Sequence, residues 1–499
     1  MKTNRGAPTP PIAFPNGAAK VESRLTTPPV EVDGALEDQL ASTGATLTRA
    51  PEVIGEASRD WWPLAMIWAL DNQVAARAAV VVRPNAVDQV SAILRYCNEA
   101  RVPVTAAAGR SGVCGASVPV FGGVLLDLTG LAGIVDVDTK SMLVDVLPGT
   151  FGDVFEDELR AEYSVTCGHW PQSIALSTVG GWIACRGAGQ LSTRYGKIED
   201  IVEGLDVVLA DGRRITTGGV PRAAVGPDLT QLFVGSEGTL GVIVGSRLRL
   251  HPSPAAESRA AYAFTSFRDG LDAMRRIVQR GATPAVLRLY DNIEADRSYK
   301  TGEAHLLLVL DEGDAHLVEA TMHIVAEECA PAEPMDVALV DQWLQHRNDV
   351  SALEALISRG LVVDTMEVSA PWRAVDTIYA RATEAIRNVD HTLVASAHQS
   401  HSYTDGACLY FTFAGRPPED QREAYYQAVW DAGQRAVIEN GGALSHHHGV
   451  GLNRSRFVHD ALGDSFDVLA AVKQALDPNG ILNPGKLGLA SPFGDVAWP

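Results

Sequence analysis

Three consecutive histidines, His446, His447 and His448, lie between the Gly441-Gly442 pair and the run Gly449-Val450-Gly451. Imidazoles titrate near neutral pH, donate or accept hydrogen bonds and relay protons, so such a run can serve catalysis, face a phosphate or bind a metal. The immediate flanks supply no carboxylate or cysteine to complete a metal shell. The favoured reading is a catalytic or phosphate-facing cluster, ahead of a metal site or a solvated stretch. If the segment is extended, His446 and His448 share one face and His447 takes the other.

Glycine-rich stretches offer a second chemistry. AAAGRSGVCGAS (106–117), LSTVGGWIACRGAG (176–189) and GPDLTQLFVGSEGTLGVI (226–243) carry small residues that let backbone N–H groups close on a phosphate. A single stretch of this kind is more often a plain turn, but three in one unit favour a cradle. A dinucleotide site of the G-x-G-x-x-G type is not supported, because Gly187-Ala188-Gly189 is followed by Gln-Leu-Ser and the third glycine is absent. The chain also lacks G-x-x-x-x-G-K-[ST], H-E-x-x-H and G-x-S-x-G, which leaves nicotinamide and nucleotide-hydrolase chemistry poorly supported.

These residues need elements to position them. AVVVRP (79–84), the amphipathic stretch 86–100 and VPVT (102–105) read as strand, helix and strand; GVLLDL, GIVDVD and SMLVDVLPG (123–149) read as further strands, followed by a helix over 151–163. LDVVLADGRRITTG (205–218) is a hairpin turning at Asp211-Gly212. Beyond Pro252, strand-like HLLLVLD (305–311) and LYFTFAG (409–415) alternate with helices over 268–280, 315–328, 372–387 and 419–439, and a last helix spans 465–476. The expected organisation is α+β. A lead-in spans 1–75, a first unit 76–253, a second unit with a sheet and flanking helices 254–440, and a C-terminal segment 441–499. Residues 1–33 hold six prolines and little periodicity and read as an extended arm or a disordered lead-in.

The chain has 499 residues, enough for two to four domains. With 41 Lys and Arg against 61 Asp and Glu the net charge is −20, which argues against broad nucleic-acid binding and against simple electrostatic attachment to anionic lipid. The six cysteines are scattered and form no C-x-x-C pair, so a reducing compartment is the simpler reading. No apolar run has signal-peptide or membrane-spanning character. A cytoplasmic location is expected, with peripheral membrane association left open, and a homodimer is the default assembly.

STVGGW (177–182), YGKIED (195–200), GSEGTLGVI (235–243), RLYDN (288–292), SAPW (369–372), YTDGACLYF (403–411), SHHHGVG (445–451) and LDPNGILNPGKL (476–487) occur in the order seen in alkyldihydroxyacetonephosphate synthases. The chain resembles that family, within the vanillyl-alcohol-oxidase or PCMH-type FAD superfamily, over about residues 79–487. The resemblance implies a two-subdomain PCMH-type FAD-binding domain plus a cap domain with an antiparallel sheet. It implies non-covalent FAD, with the pyrophosphate near Gly109, Arg110, Ser111 and Gly112. Ser177, Thr178, Gly180, Gly181, Glu237, Gly238 and Ile243 lie along the rest of the cofactor.

The implied reaction is a redox-neutral exchange of the acyl group of an acyl-glycerone phosphate, or a related ketone ester, for an alkoxy group through a flavin N5 adduct. Tyr410 matches the general acid/base of that family, His446, His447 and His448 its histidine cluster, and Arg288 an arginine over flavin and substrate phosphate. Arg359 is matched to a second arginine. A lipid phosphate is thus among the candidate small-molecule substrates, in a place in ether-lipid synthesis. The scaffold pieces Gly235–Gly241 and LDPNGILNPGKL are shared with FAD-linked oxidoreductases that act on lactate- or glycolate-like 2-hydroxy acids or on alcohols, so net oxidation is the alternative.

Two features depart from the synthases. The first loop reads Ala107-Ala108-Gly109-Arg110-Ser111 where a Gly-Gly-Gly-Thr-Ser run is usual, and His398 stands in place of an arginine. Cys114 and Cys167 read as free thiols, and His169 as a structural or flavin-side histidine.

Overall fold

The computed structural model describes residues 4–498. Its helices and sheets form three connected layers. A four-stranded sheet runs Thr46–Thr48, Val80–Arg83, Val124–Asp127 and Val104–Ala107; its last three strands are parallel and its first is antiparallel. The helix Val87–Ala100 buries Val90, Ile93, Leu94 and Cys97 against it, the i, i+3, i+4, i+7 spacing of an amphipathic helix.

A second, five-stranded antiparallel sheet follows, ordered Arg214–Gly218, Val202–Val208, Val242–Arg249, Leu143–Val146 and Ile134–Asp138. The hairpin between its first two strands turns at Asp211-Gly212, with Gly212 at φ 82°, a conformation that glycine adopts without a Cβ penalty.

The third layer is a seven-stranded antiparallel sheet ordered Glu333–Met335, Ala256–Phe264, His305–Gly313, Val286–Tyr290, Thr392–Ser402, Gly406–Gly415 and Val362–Pro371. Four helices, Phe267–Gln279, Ala315–Glu328, Trp372–Arg387 and Arg422–Glu439, cover one face. Leu287, Leu289, Ala397, Leu409, Phe411, Phe413, Met366 and Val368 point into that core. Strand side chains alternate, so Arg288, His398, Tyr410, Thr365 and Glu367 occupy the opposite face. The expected α+β architecture with an antiparallel sheet and flanking helices is therefore what the chain adopts.

The described part of the N-terminal arm is not disordered. Ile12, Phe14, Val21 and Leu25 are buried beside Trp61, Trp62 and Leu64, and Glu22–Ser23 pairs in parallel with Gln73–Val74. A few apolar residues among many prolines hold the arm down by insertion, without the periodicity that would reveal an element. The C-terminal segment also returns to the body: Val104 N–H donates to Ile481 O (2.8 Å), and Leu452 N–H to Cys114 O (2.8 Å).

Candidate functional site

A cavity of about 680 Å³ runs between the two smaller sheets and the bare face of the large one. At one end Gly109, Arg110, Ser111 and Gly112 line it, on the loop after the strand Val104–Ala107. A Cβ on Gly109 would stand 2.3 Å from Leu176 O, so only glycine fits where this loop crosses the second one. Arg110 is held at φ 55°. Its guanidinium is almost fully buried, 3.9 Å from Asp127, and Nη1 has no hydrogen-bond partner.

Ser177, Thr178, Gly180 and Gly181 line the next stretch, around the start of the helix Val179–Cys185. Glu237, Gly238 and Ile243 complete it. The Glu237 carboxylate is occupied: it accepts from Val450 N–H (2.6 Å) and Gly451 N–H (2.9 Å) and so braces the segment after the histidines. Among the cavity-lining polar atoms buried without partners are Asp60 Oδ2, Arg110 Nη1, Ser117 Oγ and Thr178 Oγ1. Buried polar groups without partners are costly, and a bound polar ligand would satisfy them.

At the other end Arg288, Tyr410, His447 and His448 line the cavity. Register explains their meeting: Glu367 pairs with Tyr410, Tyr410 with His398 and His398 with Tyr290, straight across four strands. A bulge between Gln399 and His401 turns His401 to the same face as His398. Tyr410 Oη accepts from Thr365 Oγ1 (3.1 Å) and lies 3.4 Å from His448 Nε2. Burial pushes the Tyr410 phenol well above its ordinary pKa.

The histidine segment is a bent loop, so the facing that an extended run would give does not apply. It wraps the carboxylate of Glu367, which takes N–H donors from His446, His447 (3.2 Å) and His448 (2.8 Å), the Ser445 hydroxyl (2.8 Å) and Arg454 Nη1 (2.8 Å). Burial alone would raise the Glu367 carboxyl, but Arg454, then His448 and His447, hold it far below the usual carboxylate range. Because one anion gathers all three backbone amides, His447 and His448 face the cavity while His446 is turned behind the wall, with Nε2 2.9 Å from Tyr403 Oη.

The ring nitrogens of His401, His446 and His447 come within 4.8 Å of one another. They already belong to a hydrogen-bonded chain: Ser192 Oγ to His401 Nδ1 at 2.8 Å, and His446 Nδ1 to His447 Nδ1 at 3.0 Å. Burial lowers the pKa of each imidazole, His448 to about 4, so the cluster is neutral at pH 7.

Arg288 donates from Nε to Tyr290 Oη (2.7 Å), and its Nη2 lies 2.6 Å from His398 Nε2. A guanidinium can only donate. His398 Nε2 is therefore the acceptor, and its Nδ1–H points at Glu294 Oε1, 3.1 Å away. Burial, then Arg288, lowers the His398 pKa to about 4.

Arg359 does not join the site; it is exposed beyond the helix Ser351–Ile357. Cys114 and Cys167 are free and buried outside the cavity wall, whereas His169 is in the wall with neither ring nitrogen bonded. Sequence reasoning missed Glu367, Arg454, Glu294 and Asp60. For Glu367 a signal existed, a carboxylate between Met366 and Val368 in an apolar strand.

A family model described as an FAD binding domain matches residues 78–218, and one for the C-terminal domain of FAD linked oxidases matches residues 253–487. The uncharacterised FAD-linked oxidoreductase YgcU of Escherichia coli (strain K12) is 31% identical over 432 residues, covering 82% of this chain and 88% of its own. The chain belongs to the FAD-linked oxidoreductases. Within that family it is 29% identical over 429 residues to the glycolate oxidase subunit GlcD of Bacillus subtilis (strain 168), covering 82% of this chain and 88% of the relative. It is 27% identical over 492 residues to an alkyldihydroxyacetonephosphate synthase of Dictyostelium discoideum, covering 91% and 79%. A solved structure of such a synthase shares the fold, with a TM-score of 0.76 at 22% identity over 96% of this chain and 89% of its own.

FAD is the cofactor of this FAD-linked oxidoreductase, and the channel fits it. The volume suits a dinucleotide, the glycine loops let backbone close in, and the four unpartnered polar atoms have hydroxyl and phosphate groups to meet.

Proposed function

We propose that the protein oxidises a small 2-hydroxy acid or alcohol, with Arg288 anchoring the substrate and Tyr410 handling its hydroxyl proton. The observation that carries this is the joining of Arg288 and Tyr410 on one cavity wall by the His398 imidazole, which bonds the first and stacks on the second. The glycine loops around Gly109 and Gly180 and the residues Ser177, Thr178 and Gly238 would hold FAD, which when bound supplies the acceptor for two electrons as the substrate C–H and O–H bonds become C=O. Oxygen or a carrier would be the final electron acceptor.

The chain's own residues manage the proton. A buried phenol stays protonated, so Tyr410 relays rather than stores: Oη takes the substrate proton while its own passes to His448 Nε2. His448 Nδ1 lies 3.5 Å from Glu367 Oε1, and that carboxylate steadies the positive charge that arrives. His446 and His447 buttress the loop and exclude water from this end.

A second reading, exchange of an acyl for an alkoxy group on glycerone phosphate or a related ketone ester, is favoured by the combination of Tyr410 with the histidine loop and by the Dictyostelium relative. An anaerobic experiment separates the two. Bleaching of the bound flavin by glycolate, lactate or a simple alcohol supports oxidation. Release of fatty acid from acyl-glycerone phosphate with no electron acceptor present, and no bleaching by hydroxy acids, would establish the exchange instead.

A further inference from the structure

The anion anchor carries its own counter-charge. Glu294 sits in the cavity wall, buried, with Oε1 on His398 and Oε2 bonded to nothing. Through that imidazole it faces Arg288 across a single ring. The other guanidinium at this end, Arg297, is half-exposed and lies 3.5 Å from the same Glu294. The imidazoles of His398, His401, His447 and His448 add no charge at pH 7, and Glu367 is matched by Arg454. Arg288 therefore shares this cavity wall with an unpartnered carboxylate oxygen, Glu294 Oε2.

The hydrogen atoms point the same way. Arg288 has used its Nε–H on Tyr290 and one Nη2–H on His398. What remains is the Nη1 pair and one further Nη2–H, a short planar fork that suits a carboxylate. A phosphate monoester, with two negative charges, would bring a second one into the wall that already holds Glu294 Oε2.

Resting on the reading of Arg288 as anchor, we propose that Glu294 sets the substrate class: the anchored group bears a single negative charge, as in a carboxylate, and Glu294 rejects a phosphate dianion. At an effective dielectric of about 20, a like charge about 7–10 Å away, the span across the imidazole, corresponds to roughly one to two powers of ten in affinity.

The test is perturbation of the flavin spectrum of the anaerobic holoenzyme at pH 8, first reduced with dithionite so that neither ligand can be oxidised, with glycolate as the monoanion and glycerol 3-phosphate as the dianion. Wild type should bind glycolate at least about tenfold more tightly. Glu294→Gln should tighten glycerol 3-phosphate by about tenfold or more, and Glu294→Asp, which keeps the charge, should retain the wild-type preference. Tighter binding of the phosphate by wild type, or an unchanged ratio in Glu294→Gln with normal flavin content, overturns the proposal and leaves Arg288 as anchor. Arg288→Ala should weaken both ligands; if it weakens neither, or if neither ligand binds wild type, the anchor reading falls and the proposal with it.

Discussion

His398 and Tyr410 are directly opposed in neighbouring strands, and their rings stack with centroids 4.8 Å apart and an interplanar angle of 17°. The stack fixes the phenol from one side while Thr365 bonds it from another, leaving Oη one direction toward His448 and one toward the cavity. Replacing Tyr410 by Phe keeps the stack and removes only the hydroxyl. Turnover should fall by about 10²–10⁴ with flavin content unchanged, measured by steady-state kinetics beside the flavin spectrum. Turnover within about threefold of wild type would make Tyr410 a packing residue.

The Glu367–Arg454 pair is fully buried. Removing one partner of such a pair leaves a buried charge without compensation, at a cost of about 3–5 kcal/mol. Glu367→Gln should lose stability of that order at pH 7 in denaturant unfolding. The pH dependence has a definite sign. The folded carboxyl is held far below its unfolded value of about 4.3, so its contribution is complete above that pH and shrinks as pH falls toward the folded value. The gap between wild type and Glu367→Gln should therefore be constant from about pH 6 to 8 and narrow below about pH 4. A gap that widens on acidification would contradict the assignment.

Part of this site is legible in the sequence because it depends on local chemistry. The glycine-rich loops holding Gly109 and Gly180 stand out by composition, and LYFTFAG (409–415) reads as the strand that carries Tyr410. What escaped depends on long-range register. Glu367 lies about 80 residues before the histidines, and nothing local reveals that one anion gathers their successive amides. Glu294 and Asp60 look like ordinary helix and loop carboxylates until the sheets are assembled. Arg359 shows the converse error: a motif offset carried it to a surface helix end.

Gly109→Ala places a methyl group 2.3 Å from Leu176 O, a backbone atom that cannot rotate aside. The first loop must then move away from the second, and the channel between them loses its shape. The purified variant should fold, with near-native far-ultraviolet circular dichroism, but carry less than about a tenth of the wild-type flavin, since each tenfold loss in affinity needs only about 1.4 kcal/mol. Full flavin content would show that the cofactor does not lie between these loops.

Flavin removal tests the unpartnered atoms collectively. Asp60 Oδ2, Arg110 Nη1, Ser117 Oγ and Thr178 Oγ1 are buried without partners in the protein alone. A ligand that satisfies them in the folded state, and cannot find them in the unfolded chain, stabilises by about 2.7 kcal/mol at 100 times its Kd. Apoprotein should therefore melt several degrees below holoprotein, and FAD should restore the difference in a concentration-dependent way. Arg110→Ala discriminates further. It removes a guanidinium held in the left-handed region, where neither residue is at ease, so the apoprotein should change little while the increment from FAD shrinks. An equal loss in both forms would mean that Arg110 serves the loop rather than the cofactor.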